Sequence, residues 1–98
     1  MITISDDILD ELKERLHISH SSEDDNLMRL LSFSVQDLQA KCGEFDLETN
    51  AQAKELVFER VRYAYNDALE FFDDNFLSMI TRLGLEIALQ EADQNETI

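Results

Sequence analysis

His17 and His20, with Asp24 four residues further on, are the side chains best suited to hold a metal ion. A structural or catalytic zinc site needs three or four donors converging on one point, with the imidazoles neutral. His17-x-x-His20 falls across a helix end and a turn, and no third nitrogen or thiolate stands nearby. The two histidines therefore read as solvated turn residues, and a metal-dependent enzyme is the weakest of three functional readings. Paired carboxylates are plentiful, at Asp6/Asp7, Glu23/Asp24/Asp25 and Asp73/Asp74. General acid–base catalysis needs two carboxyls in a partly dry cleft whose surroundings pull their pKa values apart. The first two groups stand where helices begin, a position that explains them as partners of orphan N–H groups. "DDNLMRLLSFSV" lacks the glycine and the ligand spacing of an EF-hand. With two glycines in the whole chain, phosphate cradles and nucleophile elbows are excluded. No catalytic residue, cofactor or metal is expected, and the chain does not read as an enzyme.

Contact chemistry is better represented. "RVRYAYNDALEFFDDNFLSMI" gathers Tyr63, Tyr65, Phe71, Phe72 and Phe76. Projected as one helix, Val57, Val61, Ala64, Tyr65, Ala68 and Phe72 share a buried face, with Phe58 and Leu69 at its edge. Tyr63 then projects about 180° away, and Phe71 about 80° to one side. Phe76 and Leu77 come just beyond the helix. Grouped exposed aromatics with arginines are typical interface anchors. Candidate contact residues are therefore Tyr63, Phe71, Phe76, Leu77, Arg60, Arg62 and Arg82, together with Leu85, Ile87 and Leu89 in the next segment.

The elements that must position them are helical. Ser5 caps a first helix over about 5–17, whose Ile8, Leu9, Leu12 and Leu16 form one face. Ser22 and Asp25 suggest a capping box for a second, about 22–42, with Leu27, Leu31, Ser34, Val35, Leu38 and Cys42 as its buried stripe and Gly43 as its terminator. Thr49 and Gln52 suggest another box for a third helix, about 50–72, in which no glycine or proline intervenes. From Leu83 the apolar period changes to two (Leu83, Leu85, Ile87, Leu89), so about 75–90 reads as a short C-terminal helix or a strand-like arm. The acidic tail 91–98 reads as frayed. The fold class is all-α, a small bundle of three main helices plus that arm, in a single domain over 1–98.

Composition bounds the partners. The net charge of −14, from 22 acidic and 8 basic residues, leaves no cationic cluster to grip phosphates or an anionic membrane. Such a surface repels DNA or imitates it. "MITISDD" has no basic n-region, so no secretory leader is expected, and no apolar run approaches bilayer length. Cys42 stands alone, cannot form an internal disulfide, and reads as a small buried hydrophobe.

Two long stretches, "DELKERLHISHSSEDDNLMRLLSFSVQDLQAKCG" and "ERVRYAYNDALEFFDDNFLSMITRLGLEIA", resemble the helices of the small head–tail connector proteins of tailed phages, especially those of Gram-positive hosts. The first is similar to their "LK..L.I" helix, acidic turn and amphipathic second helix. The second is similar to their third helix and the segment after it. "EFDLETN" departs from the pattern in lacking a proline. The resemblance implies a structural virion protein at the head–tail interface, present in the host cytoplasm during assembly. It implies a homo-oligomeric ring, commonly twelvefold, seated on the portal protein after packaging and presented to a tail-side stopper or connector. DNA would pass through the channel without specific binding, and no membrane would be involved. The arm at 83–89 would then add to a neighbouring subunit or to the portal. The alternative from charge alone is an acidic DNA mimic or inhibitor that occupies a host DNA-binding protein.

Overall fold

Leu27, Leu31, Ser34, Val35, Leu38 and Cys42 recur every three or four residues, and these six are the buried residues of one 19-residue helix, Asp24–Cys42. In the computed structural model, which describes residues 4–95, this helix is the second of five. The order is α1 (Asp6–Leu16), α2 (Asp24–Cys42), α3 (Ala51–Tyr65), a 3₁₀ turn (Leu69–Phe71), the single-turn α4 (Phe72–Asn75) and α5 (Leu77–Asn95). No strand occurs among the described residues. α1, α3 and α5 all pack on α2. They bring Ile8, Leu9 and Leu12, then Leu56, Val57 and Val61, then Ile80, Leu83 and Ile87, while Phe72 closes one end. Fully burying each such side chain contributes about 1.5–3 kcal/mol, so α2's stripe is the main source of cohesion.

Polar groups around that stripe are paired across the helices. Ser34, the one buried polar residue of the described core, accepts a hydrogen bond from Arg60 Nη1 at 3.1 Å, while Arg60 Nε holds Asp37 at 3.1 Å. Lys41 bridges Asp37 and Asp73 at 2.7 Å each and so ties α2 to α4. Lys13–Asp24 and Lys54–Glu11, both 2.8 Å, tie α1 to α2 and α3 to α1. Pairs this exposed contribute at most about 1 kcal/mol each, so they set orientation more than stability.

Helix ends depart from the sequence expectations in instructive ways. Ser5 caps α1 as expected, accepting from the Ile8 amide at 3.3 Å. α2 begins instead at Asp24, with Glu23 at the N-cap and no side-chain cap, while Ser22 Oγ is paired with His20 Nδ1 at 2.7 Å. α3 is capped by Asn50, which accepts from the Ala53 amide at 3.0 Å, and not by Thr49. The larger correction is that α3 stops at Tyr65, not near Phe72. Asp67 takes the left-handed conformation (φ 57°), and the Ala68 and Asp67 amides return to the carbonyls of Tyr63 (2.8 Å) and Ala64 (3.2 Å). This is a Schellman stop made without glycine; a short Asp side chain tolerates left-handed φ better than most. His17 (φ 60°) ends α1 in the same way, with the Ile18 amide on Lys13 O at 2.9 Å.

The C-terminal arm is a helix of 19 residues, neither short nor a strand, and positions 91–95 of the expected frayed tail belong to it. Residues 96–98 lie outside the described residues. The period of two has a helical origin. Leu83 and Ile87, four apart, face the core, while Leu85 and Leu89, also four apart, face outward. Two residues turn a helix by about 200°, so a helix apolar on opposite faces mimics a strand's alternation. Beyond Ile87 every residue from Ala88 to Ala92 is exposed, so this end of α5 projects. The radius of gyration of 14.3 Å accordingly exceeds the about 13 Å of a compact chain this size.

The two glycines differ in what a side chain would meet. Gly43 has φ 101° and ψ 177°, a region essentially reserved for glycine, and an added Cβ would stand 3.0 Å from Ile87 Cγ2. Gly84 is helical and packs against the backbone of Cys42, where a Cβ would meet ordinary contacts at 3.6 Å or more. In urea unfolding, Gly43→Ala is expected to cost about 1–3 kcal/mol. Gly84→Ala is expected to be neutral or to stabilise by up to about 1 kcal/mol through helix propensity.

Candidate protein-interaction surface

The early stop of α3 redistributes the aromatic rings. Turning the chain at Asn66–Asp67 swings α4 back over α3, so that Phe72 and Phe76 meet Tyr63. Tyr63 stands edge-on to both, with centroids 5.8 and 5.6 Å apart, and Phe72 stacks on Phe76 at 5.0 Å. Asn75 Nδ2 donates to the Tyr63 hydroxyl at 3.0 Å. Tyr63 and Phe76 are thus half-buried members of a cluster packed against the core, not the outward rings a continuous helix would make of them. Tyr65 is only partly covered, and its hydroxyl donates to Glu23 at 2.5 Å, the contact that raises its pKa. Ile87 lies inside the core at 4% exposure, over Gly43.

The arginines divide as well. Arg60 is turned inward to Ser34 and Asp37. Arg62 pairs with Glu59 at 2.7 Å and lies 5.2 Å over the Tyr63 ring. Arg15, from α1, reaches Glu59 at 3.2 Å and Glu55 at 2.6 Å. Arg82 is exposed and makes no ion pair with a described residue.

The surface left open is apolar and lies mostly on α5. Leu77, Leu85 and Leu89 are each about 60% exposed, as is Phe71 on the 3₁₀ turn. With Thr81, Ala88 and Ala92 the three leucines form one outward face, opposite Ile80, Leu83 and Ile87. Phe33, 54% exposed on the outside of α2, stands apart from the candidates that the sequence marks. The 100° projection applied to α3 would have found it, since it falls about 200° from Leu31.

The residues with chemical potential do not converge. His17 is a helix terminator and His20 is bound to Ser22; among the described residues no three His, Cys, Asp or Glu side chains gather as for a metal. Cys42 is buried, donates to Ile80 O at 3.4 Å, and burial pushes its thiol pKa up. An open depression of about 480 Å³ between the start of α1 and residues 44–48 is floored by Ile8 and Val35; in it Ser5 Oγ donates to Glu48 at 2.9 Å. No described helix is long and apolar enough to cross a membrane.

Tyr63→Ala opens the ring cluster and is expected to destabilise by about 2–4 kcal/mol, whereas Phe71→Ala changes stability by no more than about 0.5 kcal/mol in the same urea titration. The hydrogen bond from Arg62, reinforced by Arg15, holds the Glu59 carboxyl below its ordinary value of 4.5. That stabilisation is present above pH 4.5 and lost as pH falls through the lowered folded-state value. Glu59→Gln is therefore expected to be less stable than the parent at neutral pH, with a shallower loss of stability on acidification below 4.5. No family model, curated protein or solved structure matches the chain.

Proposed function

We propose that the chain is a non-enzymatic head–tail connector, a virion adaptor that forms a ring on the portal after DNA packaging and gives the tail-side component a docking surface. The observation that carries the reading is the uncovered outer face of α5. Leu77, Leu85 and Leu89 stay about 60% exposed in a domain with little core to spare. Apolar surface grouped in this way gains free energy when a neighbouring protein covers it. The resemblance of the helical segments to phage connectors supplies the identity of the neighbours. Head-to-tail contacts between copies close into a ring when the rotation per subunit allows. An acidic lumen would repel the duplex and let it slide.

One observation favours the DNA-mimic reading, namely the open row Asp6, Asp7, Asp10 and Glu14 along α1. A mimic, however, gives the leucines of α5 no work. Truncation after Leu83 is not a clean test of assembly, because it removes Ile87 from the core. Native mass measurement of the chain alone and mixed with portal protein is cleaner. A discrete ring bound to portal is the expected result. A monomer that ignores the portal and competes with duplex DNA for a basic DNA-binding protein would establish the mimic instead.

A further inference from the structure

α3 ends where nothing in its sequence forbids it to continue. From Ala51 to Asn75 the chain holds neither glycine nor proline. The stop consists of two amides that have traded acceptors: Ala68 N–H donates to Tyr63 O at 2.8 Å, and Asp67 N–H to Ala64 O at 3.2 Å. In an uninterrupted α-helix the same four groups pair the other way round, Asp67 with Tyr63 and Ala68 with Ala64. Opening the stop therefore loses neither bond, and it releases Asp67 from a left-handed conformation (φ 57°) that favours glycine. A straight α3, however, would carry Phe72 about 13.5 Å along the axis from Tyr63, whose ring it now meets edge-on. Phe72 and the helix behind it would lose their seat on their own chain.

The same seat exists on every other copy. Contacts that hold residues 69–95 reach back across the stop: Phe72 and Phe76 to Tyr63, Asp73 to Lys41, and the Ile80 carbonyl to the Cys42 thiol. Only the turn at Asn66–Asp67 decides whether both sides of these contacts belong to one chain. From the interchangeable hydrogen bonds of the stop and the contacts that span it, we infer that Asn66–Asp67 is a hinge through which two copies of this chain exchange the segment from the 3₁₀ turn to the end of α5. In the exchanged dimer α3 runs straight, and each α5 lays Ile80, Leu83 and Ile87 on the α2 of the other copy. The packing contacts are the same in both forms, so the hinge and the protein concentration set the balance. In dilute solution a chain's own segment wins, because it is tethered beside its site. Conversion is slow, since Phe72, Leu83 and Ile87 must leave the core before another copy can take them up. The exchange uses the inner face of α5 and requires no portal, so it stands apart from the connector reading.

A disulfide across α2 and α5 separates exchange from ordinary association. A Cβ added at Gly84 stands 3.9 Å from Cys42 Cβ, within the about 3.5–4.5 Å that a disulfide spans. In Gly84→Cys the introduced thiol therefore pairs with Cys42, the chain's one cysteine, of whichever copy its α5 is docked on. The full chain carrying G84C is concentrated under reducing conditions and separated by gel filtration. Each pool is then oxidised and run on a non-reducing gel. The monomer pool is expected to close within single chains, and the dimer pool to be joined covalently between chains. In sedimentation, N66A/D67A, which favours the straight helix, is expected to dimerise at least ~10-fold more tightly than the parent. Asp67→Gly, which favours the stop, is expected to dimerise at least ~10-fold more weakly. Absence of a dimer in both the parent and N66A/D67A overturns the inference; should N66A/D67A not melt cooperatively, the G84C gel on the parent hinge decides. A dimer pool whose disulfides close within single chains is an association of folded monomers and equally overturns it. A portal-bound ring of closed chains overturns the exchange alone, and a covalent dimer that ignores the portal overturns only the connector reading.

Discussion

One apolar line along α2 holds the molecule together. α1, α3 and α5 are joined less to one another than to the stripe from Leu27 to Cys42, and each is oriented by what it places there. Even the polar exception obeys this logic. Ser34 sits in mid-stripe, fully buried, and draws Arg60 of α3 over α2 to satisfy it. Asp37, one turn later, gathers both Arg60 and Lys41, and Lys41 carries the contact on to α4. A helix that meets three others has no freedom to rotate without uncovering one of them.

The second constraint is where the chain reverses. With no proline and two glycines, of which Gly43 ends α2, the stops of α1 and α3 fall to His17 and Asp67, each left-handed at the end of a helix. The stop at Asp67 has the larger effect. By ending α3 at Tyr65 it returns Phe72 and Phe76 onto Tyr63 and converts rings that a straight helix would expose into a satellite of the core. It also sets the start of α5, and so decides which of that helix's two apolar faces is used inward.

These placements bear on function. The exposed apolar surface lies less on the tyrosine and phenylalanine rings than on the leucines of α5, with Phe71 and Phe33 as outlying exposed rings. α5 projects with an apolar stripe, while the chain as a whole carries a net charge of −14.

By itself the sequence determined the all-helical class, the six-residue stripe of α2, the Ser5 cap and the acidic surface, because these depend on local spacing and composition. It also marked Phe71, Leu77, Leu85 and Leu89 as surface candidates, and they are exposed. Only the tertiary structure decided the end of α3 and the two faces of α5. A left-handed Asp is only weakly marked in sequence, since the same residue type also occurs within helices, and here the turn is stabilised by Phe72 packing back onto the core. Likewise, pairs four apart at Leu83/Ile87 and Leu85/Leu89 are equivalent by spacing. Which pair is core depends on which one meets α2, and that is a property of the assembled bundle.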